Sequence, residues 1–244
     1  ELGESWSEAA IERVSYPGGG TGAAAWGVFV SSGYHENDNL QYNKEGYLYG
    51  VEAASGNGFN GTYHGPTLAQ YPAPGGRAPY FDGVNDYVNV TNAGFFSAFN
   101  ADEGSLLILF QRKSTKAGYN TVLRLTSPSY TTDFWVYTVD TGWNIRRNAG
   151  GVNQTRTISG AAPLGSWVHA AATWSVSASQ MRVFINGVEG TPLSGLGASA
   201  EACNVMTLGM SVSTYFFEGY LAHFILLNRA AAPEEIRKVY RLGV

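Results

Sequence analysis

The sequence predicts an all-β protein, an antiparallel two-sheet sandwich closed by a short C-terminal helix. Charged residues make up only 14% of the 244-residue chain, aromatics also reach 14%, and there are 31 glycines, the balance of many short strands joined by glycine turns. Beyond residue 58 the apolar residues recur with a period of two in strand-length runs. These runs follow one another too closely for helical crossovers, so neighbouring strands are expected to be antiparallel.

Taken in order, "SWSEAAIERV" (5 to 14) is compatible with a short helix capped by Ser5 or Ser7, with Ala9, Ala10, Ile11 and Val14 on its apolar side. "YPGGGTG" is a glycine loop, "AAAWGVFV" reads as a buried strand, and "GYHENDNLQYNKEG" is polar and loop-like. "APYFDGVNDYVNV" (78 to 90) is a strand, a tight turn and a second strand. Its Gly83 allows positive φ, while Asn85 and Asp86 are placed to bond nearby amides. "SLLILFQR", "NTVLRLT", "TDFWVYTV", "SWVHAAATWS" and "QMRVFING" are strands rich in branched and aromatic residues. "VDTGWN", "VSASQ" and "INGVEG" supply hairpin turns, the last with Asn-Gly at its centre. "AAPEEIRKVYRL" (231 to 242) has proline at a helix start, glutamates in the first turn and Arg237, Lys238 and Arg241 toward the end, an order that suits the helix dipole.

Composition also bounds function. The net charge of −4 is spread along the chain without a basic block, so nucleic acid is not an expected partner. Cys203 is the only cysteine, which rules out an internal disulfide and a cysteine-based zinc site. The longest apolar stretches fall far short of the roughly 18 residues of a spanning helix, so no membrane insertion is expected. "ELGESWSEAA" has neither the basic lead nor the apolar middle of a signal peptide.

Four motifs in sequence carry a resemblance. "FDGVNDYV", "SWVHAAATWS", "MRVFINGV" and "GYLAHFILLNRAAAPEEIRKVY" resemble the laminin-G-like branch of the concanavalin A-like jelly-roll superfamily. "ASGNGFNGTYHGPT" (54 to 67) is similar to the segment that precedes the FDG turn in that family. The resemblance implies one jelly-roll domain over residues 1 to 244, two curved antiparallel sheets packed face to face with loops at the sheet ends. Residues 1 to 50 match poorly and are either an N-terminal extension or the first strands. The final strand, with Ala222 and His223 where acids are common, is more similar to phage-associated members. Lectins, adhesion modules, glycan-cleaving enzymes and virion proteins share this architecture, so the site decides the function.

Glucanases of the superfamily carry E-x-D-x-x-E on one strand, because retaining chemistry needs two carboxyls about 5 Å apart. The nearest match, "ENDNLQ", has Glu36 and Asp38 but Gln41 at the third position, so no catalytic residue is assigned. His35, His64, His169 and His223 show no metal or triad spacing. Calcium is the one ion the resemblance raises. Ala53 and Ala222 stand where acids are usual, leaving Asp82 and Asp86 either as ligands or simply as turn residues. No cofactor is required.

The patch "TDFWVYTVDTGWNIRR" offers the binding chemistry. Phe134 and Val136 point to one strand face and Trp135 and Tyr137 to the other, so both faces are apolar. One face packs in the core, and the other is either covered or open as a platform. Trp135, Tyr137, Trp143, Asn144 and Arg147 combine rings for stacking on a sugar with groups that bond its hydroxyls. The N-x-T sequences at Asn60, Asn89 and Asn153 are no more frequent than composition gives.

The expected function is therefore a non-catalytic surface-recognition module that binds a glycan or cell surface, extracellular or on a virion. The alternatives are a virion decoration or appendage subunit that forms a homo-oligomer through its aromatic face, and a glycoside hydrolase.

Overall fold

A computed structural model describes residues 26–31, 47–52, 58–65, 67–73, 76–91, 93–115, 118–139, 142–158, 162–211 and 214–241. The helix read over 5 to 14, and Glu36, Asp38, Gln41 and Ala53, lie outside the described residues.

Strands β1 (Trp26–Ser31), β2 (Tyr47–Glu52), β3 (Gly58–His64), β4 (Thr67–Ala73), β5 (Gly76–Asp82) and β6 (Tyr87–Val90) precede a short helix, α1 (Ala93–Ala98). Next come β7 (Glu103–Arg112), β8 (Asn120–Thr126), β9 (Thr132–Val139), β10 (Gly142–Ala149), β11 (Val152–Ile158), β12 (Trp167–Ser175) and β13 (Gln180–Ile185). The short strands β14 (Val188–Glu189), β15 (Leu193–Ser194), β16 (Val205–Leu208), β17 (Met210–Ser211) and β18 (Tyr215–Phe216) lead to the long β19 (Glu218–Leu227) and helix α2 (Pro233–Arg241).

Every pairing described is antiparallel, and together they form a two-sheet sandwich. One sheet runs β11–β10–β9–β8–β16–β6–β3, and the other runs β1–β19–β7–β12–β13. Strand β2 pairs with both β1 and β3 and so links them.

The core lies between the sheets. Leu106, Ile108 and Phe110 of β7 meet Phe134 and Val136 of β9 and Trp143 and Ile145 of β10 there. The alternate residue Leu107 points outward, where α2 covers it together with Ala171, Phe184 and Leu227, using Ile236. Strand β7 is thus apolar on both faces because both are covered, which accounts for the unbroken "SLLILF" run.

The C-terminal helix forms where the sequence places it. Pro233 opens it, and Glu235 accepts the Ala232 amide at 2.7 Å while holding the Arg229 guanidinium through two bonds of 2.7 and 2.9 Å. Burying Ile236 adds about 1.5–3 kcal/mol. The Asn186-Gly187 turn, with φ of 48° and 74°, joins β13 to β14 as the sequence predicts. A Cβ on Gly187 would stand 2.7 Å from the Tyr240 ring, so glycine serves the docking of α2 as well as the turn.

Two features add to what the sequence shows. Helix α1 is additional to the helical segments read from sequence at 5 to 14 and 231 to 242. It forms because Phe95 and Phe96 bury themselves in the core, which a six-residue segment without helical periodicity does not advertise. The strands flanking the FDG turn do not pair with each other. β5 pairs with β4 and β19, whereas β6 pairs with β3 and β16, so the turn carries the chain from one sheet to the other.

Candidate functional site

The FDG turn is a set of side chain to backbone bonds. Asp82 Oδ1 accepts the Val84 and Asn85 amides at 2.8 and 3.3 Å, and Asp86 Oδ2 accepts the Asp82 amide at 2.8 Å. Gly83 takes φ of 77°. Burial raises the Asp86 pKa, while the bond from the Asp82 amide opposes the shift. A calcium ion takes six to eight oxygens, and among the described residues no group of three His, Cys, Asp or Glu stands together. Both carboxylates act here as turn acceptors.

The aromatic patch divides by strand parity. β9 and β10 pair Phe134 with Arg147, Val136 with Ile145 and Thr138 with Trp143 on one face, and Trp135 with Arg146 and Tyr137 with Asn144 on the other. Trp143, 1% exposed, and Arg147, 0% exposed, point inward. They correct the sequence-based grouping: alternate residues of a strand face opposite ways, so neither Trp143 nor Arg147 can share a surface with Asn144.

Arg147 is a fastener of the interior. It donates to Gly197 O at 2.8 Å, Ala101 O at 3.0 Å and Asp102 Oδ1 at 3.3 Å, tying two loops to β10. Burial lowers its pKa and Asp102 opposes the shift.

Trp135 and Tyr137 do face outward, yet they are only 6% and 8% exposed. Tyr119 lies over both, with ring centroids 4.9 and 5.1 Å away, and Tyr215 stands 5.2 Å from Tyr119 and 6.1 Å from Trp135. The Trp135 indole donates to Thr121 Oγ1 at 3.0 Å. Burial raises the Tyr137 pKa against the opposing Arg146 charge. Trp135 and Tyr137 therefore form the floor, and the accessible aromatic surface belongs to Tyr119, 41% exposed, and Tyr130, 49% exposed. The expectation that Trp135 itself is an open platform is corrected accordingly.

Two arginines that sequence reading missed complete this face. The Arg124 and Arg146 guanidiniums stand 5.4 and 4.9 Å from the Trp135 ring, and both bond the buried Asp133 carboxylate. Arg124 also lies 4.9 Å from the Tyr130 ring. Beside them a polar row continues outward, with Asn144 accepting from Thr157 and with exposed Asn153 and Thr155 on β11. Near the β8 to β9 turn, Glu201 accepts from Ser129 and Thr131, and these bonds lower its pKa. Alternation along "NTVLRLT" and "NIRRNA" hints that Arg124 and Arg146 are outward, but only the register brings both to Trp135.

This architecture is that of an antiparallel jelly-roll sandwich of lectin-like form. Residues 81–237 match the model of the concanavalin A-like lectin/glucanases superfamily, laminin-G type, and the chain belongs to this family. No curated protein matches the sequence.

Among solved structures, the binding domain of botulinum neurotoxin DC in complex with SialylT is similar with a TM-score of 0.64 and 11% identity, over 89% of this chain and 51% of that one. The same domain in complex with rat synaptotagmin II gives 0.64 at 10% identity, over 89% and 52%. The CBM40 of Ruminococcus gnavus IT-sialidase bound to α2,3-sialyllactose gives 0.50 at 18% identity, over 57% of this chain and 82% of that one. The chain spans about half the length of the neurotoxin chains. At these identities the likeness is one of fold.

Proposed function

We propose that the chain is a non-catalytic recognition module that binds a glycan on the outward face of β8 to β11, displayed outside a cell or on a virion. The observation that carries this reading is the half-exposed Tyr119 ring set above Trp135 and Tyr137, on the strand face that also carries Arg146, Asn144, Thr155 and Asn153. A sugar presents a C–H face that stacks on such a ring and hydroxyls that bond such a polar row. The sialylated complexes of structurally similar binding domains support the reading through a shared fold.

A glycan-array screen, followed by calorimetric titration of the best ligand, tests it. Tyr119→Ala is expected to weaken that ligand by about 1–3 kcal/mol, the loss typical of a large contact. Because Tyr119 is 41% exposed, the fold should survive the change. The reading fails if no glycan binds, or if binding is indifferent to both Tyr119→Ala and Asn144→Ala.

A further inference from the structure

We propose that the ligand of this face is anionic: a saccharide whose carboxylate or sulfate is seated against Arg124 and Arg146. The inference rests on the glycan reading above and adds the charge of the sugar. From β8 to β11 the sequence has four arginines, Arg124, Arg146, Arg147 and Arg156, against two acids, Asp133 within a strand and Asp140 in the β9 to β10 connection, although the whole chain has a net charge of −4. Arg147 turns inward to Asp102. Among the described residues Asp133 alone is ion-paired to Arg124 and Arg146, one carboxylate for two guanidiniums, which leaves that trio with an excess positive charge.

The donors show where that excess is directed. Arg124 uses Nε on Asp133 at 2.8 Å and Nη1 on Ser211 Oγ at 2.7 Å. Arg146 uses Nη2 on the second Asp133 oxygen. Asp133, with its side chain 1% exposed and both oxygens engaged, holds the two guanidiniums in place from beneath. Glu201, the nearby acid of the β8 to β9 turn, is tied to Ser129 and Thr131 rather than to either arginine.

Trp135 lies within cation–π range of both arginines and excludes water on that side. The Arg146 side chain remains 24% exposed and the Arg124 side chain 12%, so part of each guanidinium-bearing chain reaches solvent, whereas Arg146 Nε is buried without a hydrogen-bond partner among the described residues. A planar guanidinium held in this way suits a carboxylate or sulfate better than a hydroxyl, because the charged acceptor roughly doubles the strength of each bond. The neighbouring Tyr119 ring and the Asn and Thr row suit the sugar that carries the anion.

The test compares acidic sugars with their neutral parents by calorimetry: α2,3-sialyllactose against lactose, oligogalacturonate against its methyl ester, and a galactose sulfate against galactose. At least one acidic member is expected to bind about tenfold or more tighter than its parent, the scale of a hydrogen bond to a charged group. The acidic pair that shows the preference identifies the carboxylate or the sulfate as the source. Raising the salt should shrink the preference. Arg146→Gln should weaken the acidic sugar by a larger factor than its neutral parent, collapsing the preference, and Arg146→Lys should recover only part of it. A melting curve for each variant reports the fold. Equal affinity for acidic and neutral partners, or equal weakening of both by Arg146→Gln, overturns the anionic inference and leaves the glycan reading standing. Failure of the wild type to bind any of the sugars, or any glycan on the array, removes both.

Discussion

Trp143→Ala separates an inward from an outward Trp143 most sharply. The side chain is 1% exposed and belongs to the cluster that includes Ile145, Phe134 and Trp174. Its removal takes a large apolar surface out of the core and leaves a cavity that both sheets must collapse to fill. Truncations of buried Phe or Trp cost about 3–5 kcal/mol. At this length about 1 kcal/mol corresponds to about 2 °C, so the melting temperature should fall by about 6–10 °C.

Trp143→Phe offers a control. The indole N–H is buried without an acceptor among the described residues, so the smaller ring loses packing but no hydrogen bond. Its cost should be well under that of alanine. Differential scanning calorimetry, paired with urea unfolding, measures both variants. Sugar binding by Trp143→Ala, assayed well below its melting point, should match wild type, because the outward face loses nothing. A melting point within about 2 °C of wild type, far from the cost of a core truncation, would refute the inward placement of β10. Selective loss of ligand from a stably folded variant would do the same.

Two other consequences concern titration. The Cys203 thiol is buried, and its pKa is pushed up to about 12, chiefly by that burial. It should resist a thiol reagent at pH 8 in the native protein and react fully in denaturant; rapid native labelling would contradict the burial. Burial also raises the Asp86 pKa above its unfolded value. The folded state then holds that proton more tightly, so the stability it contributes is full below about pH 3.9 and is lost as pH rises through the folded value. Asp86→Asn should therefore be at least as stable as wild type at pH 7 and lose that advantage at about pH 3. Urea melts at both values check this, and a clear loss at pH 7 would show that the charged turn stabilises the fold.

Much of the architecture is local and therefore legible in the chain. "SLLILFQR" and "SWVHAAATWS" become β7 and β12, "PEEIRKVYR" becomes α2, and Asn186-Gly187 makes the turn its backbone preferences demand. The order of motifs was also enough to indicate the laminin-G-like family, to which the match over residues 81–237 assigns the chain.

What tertiary structure decided was which groups meet. The alternation rule alone already puts Trp143 and Arg147 on the face opposite Asn144, but grouping residues by nearness along the chain obscures it. No local rule tells whether Phe134 or Trp135 faces the core, since both strand faces are apolar. That choice falls to the opposing sheet, where Trp174 packs 4.7 Å from Phe134. Likewise, Tyr119 and Arg124, Trp135, Arg146 and Tyr215 come from four separate stretches, and only the β8–β9–β10 register and the return of β18 assemble them. A sequence sets the period of a strand through the geometry of its own backbone. Its neighbours and its inward face are set by long-range hydrogen bonding and by the volume available between the sheets.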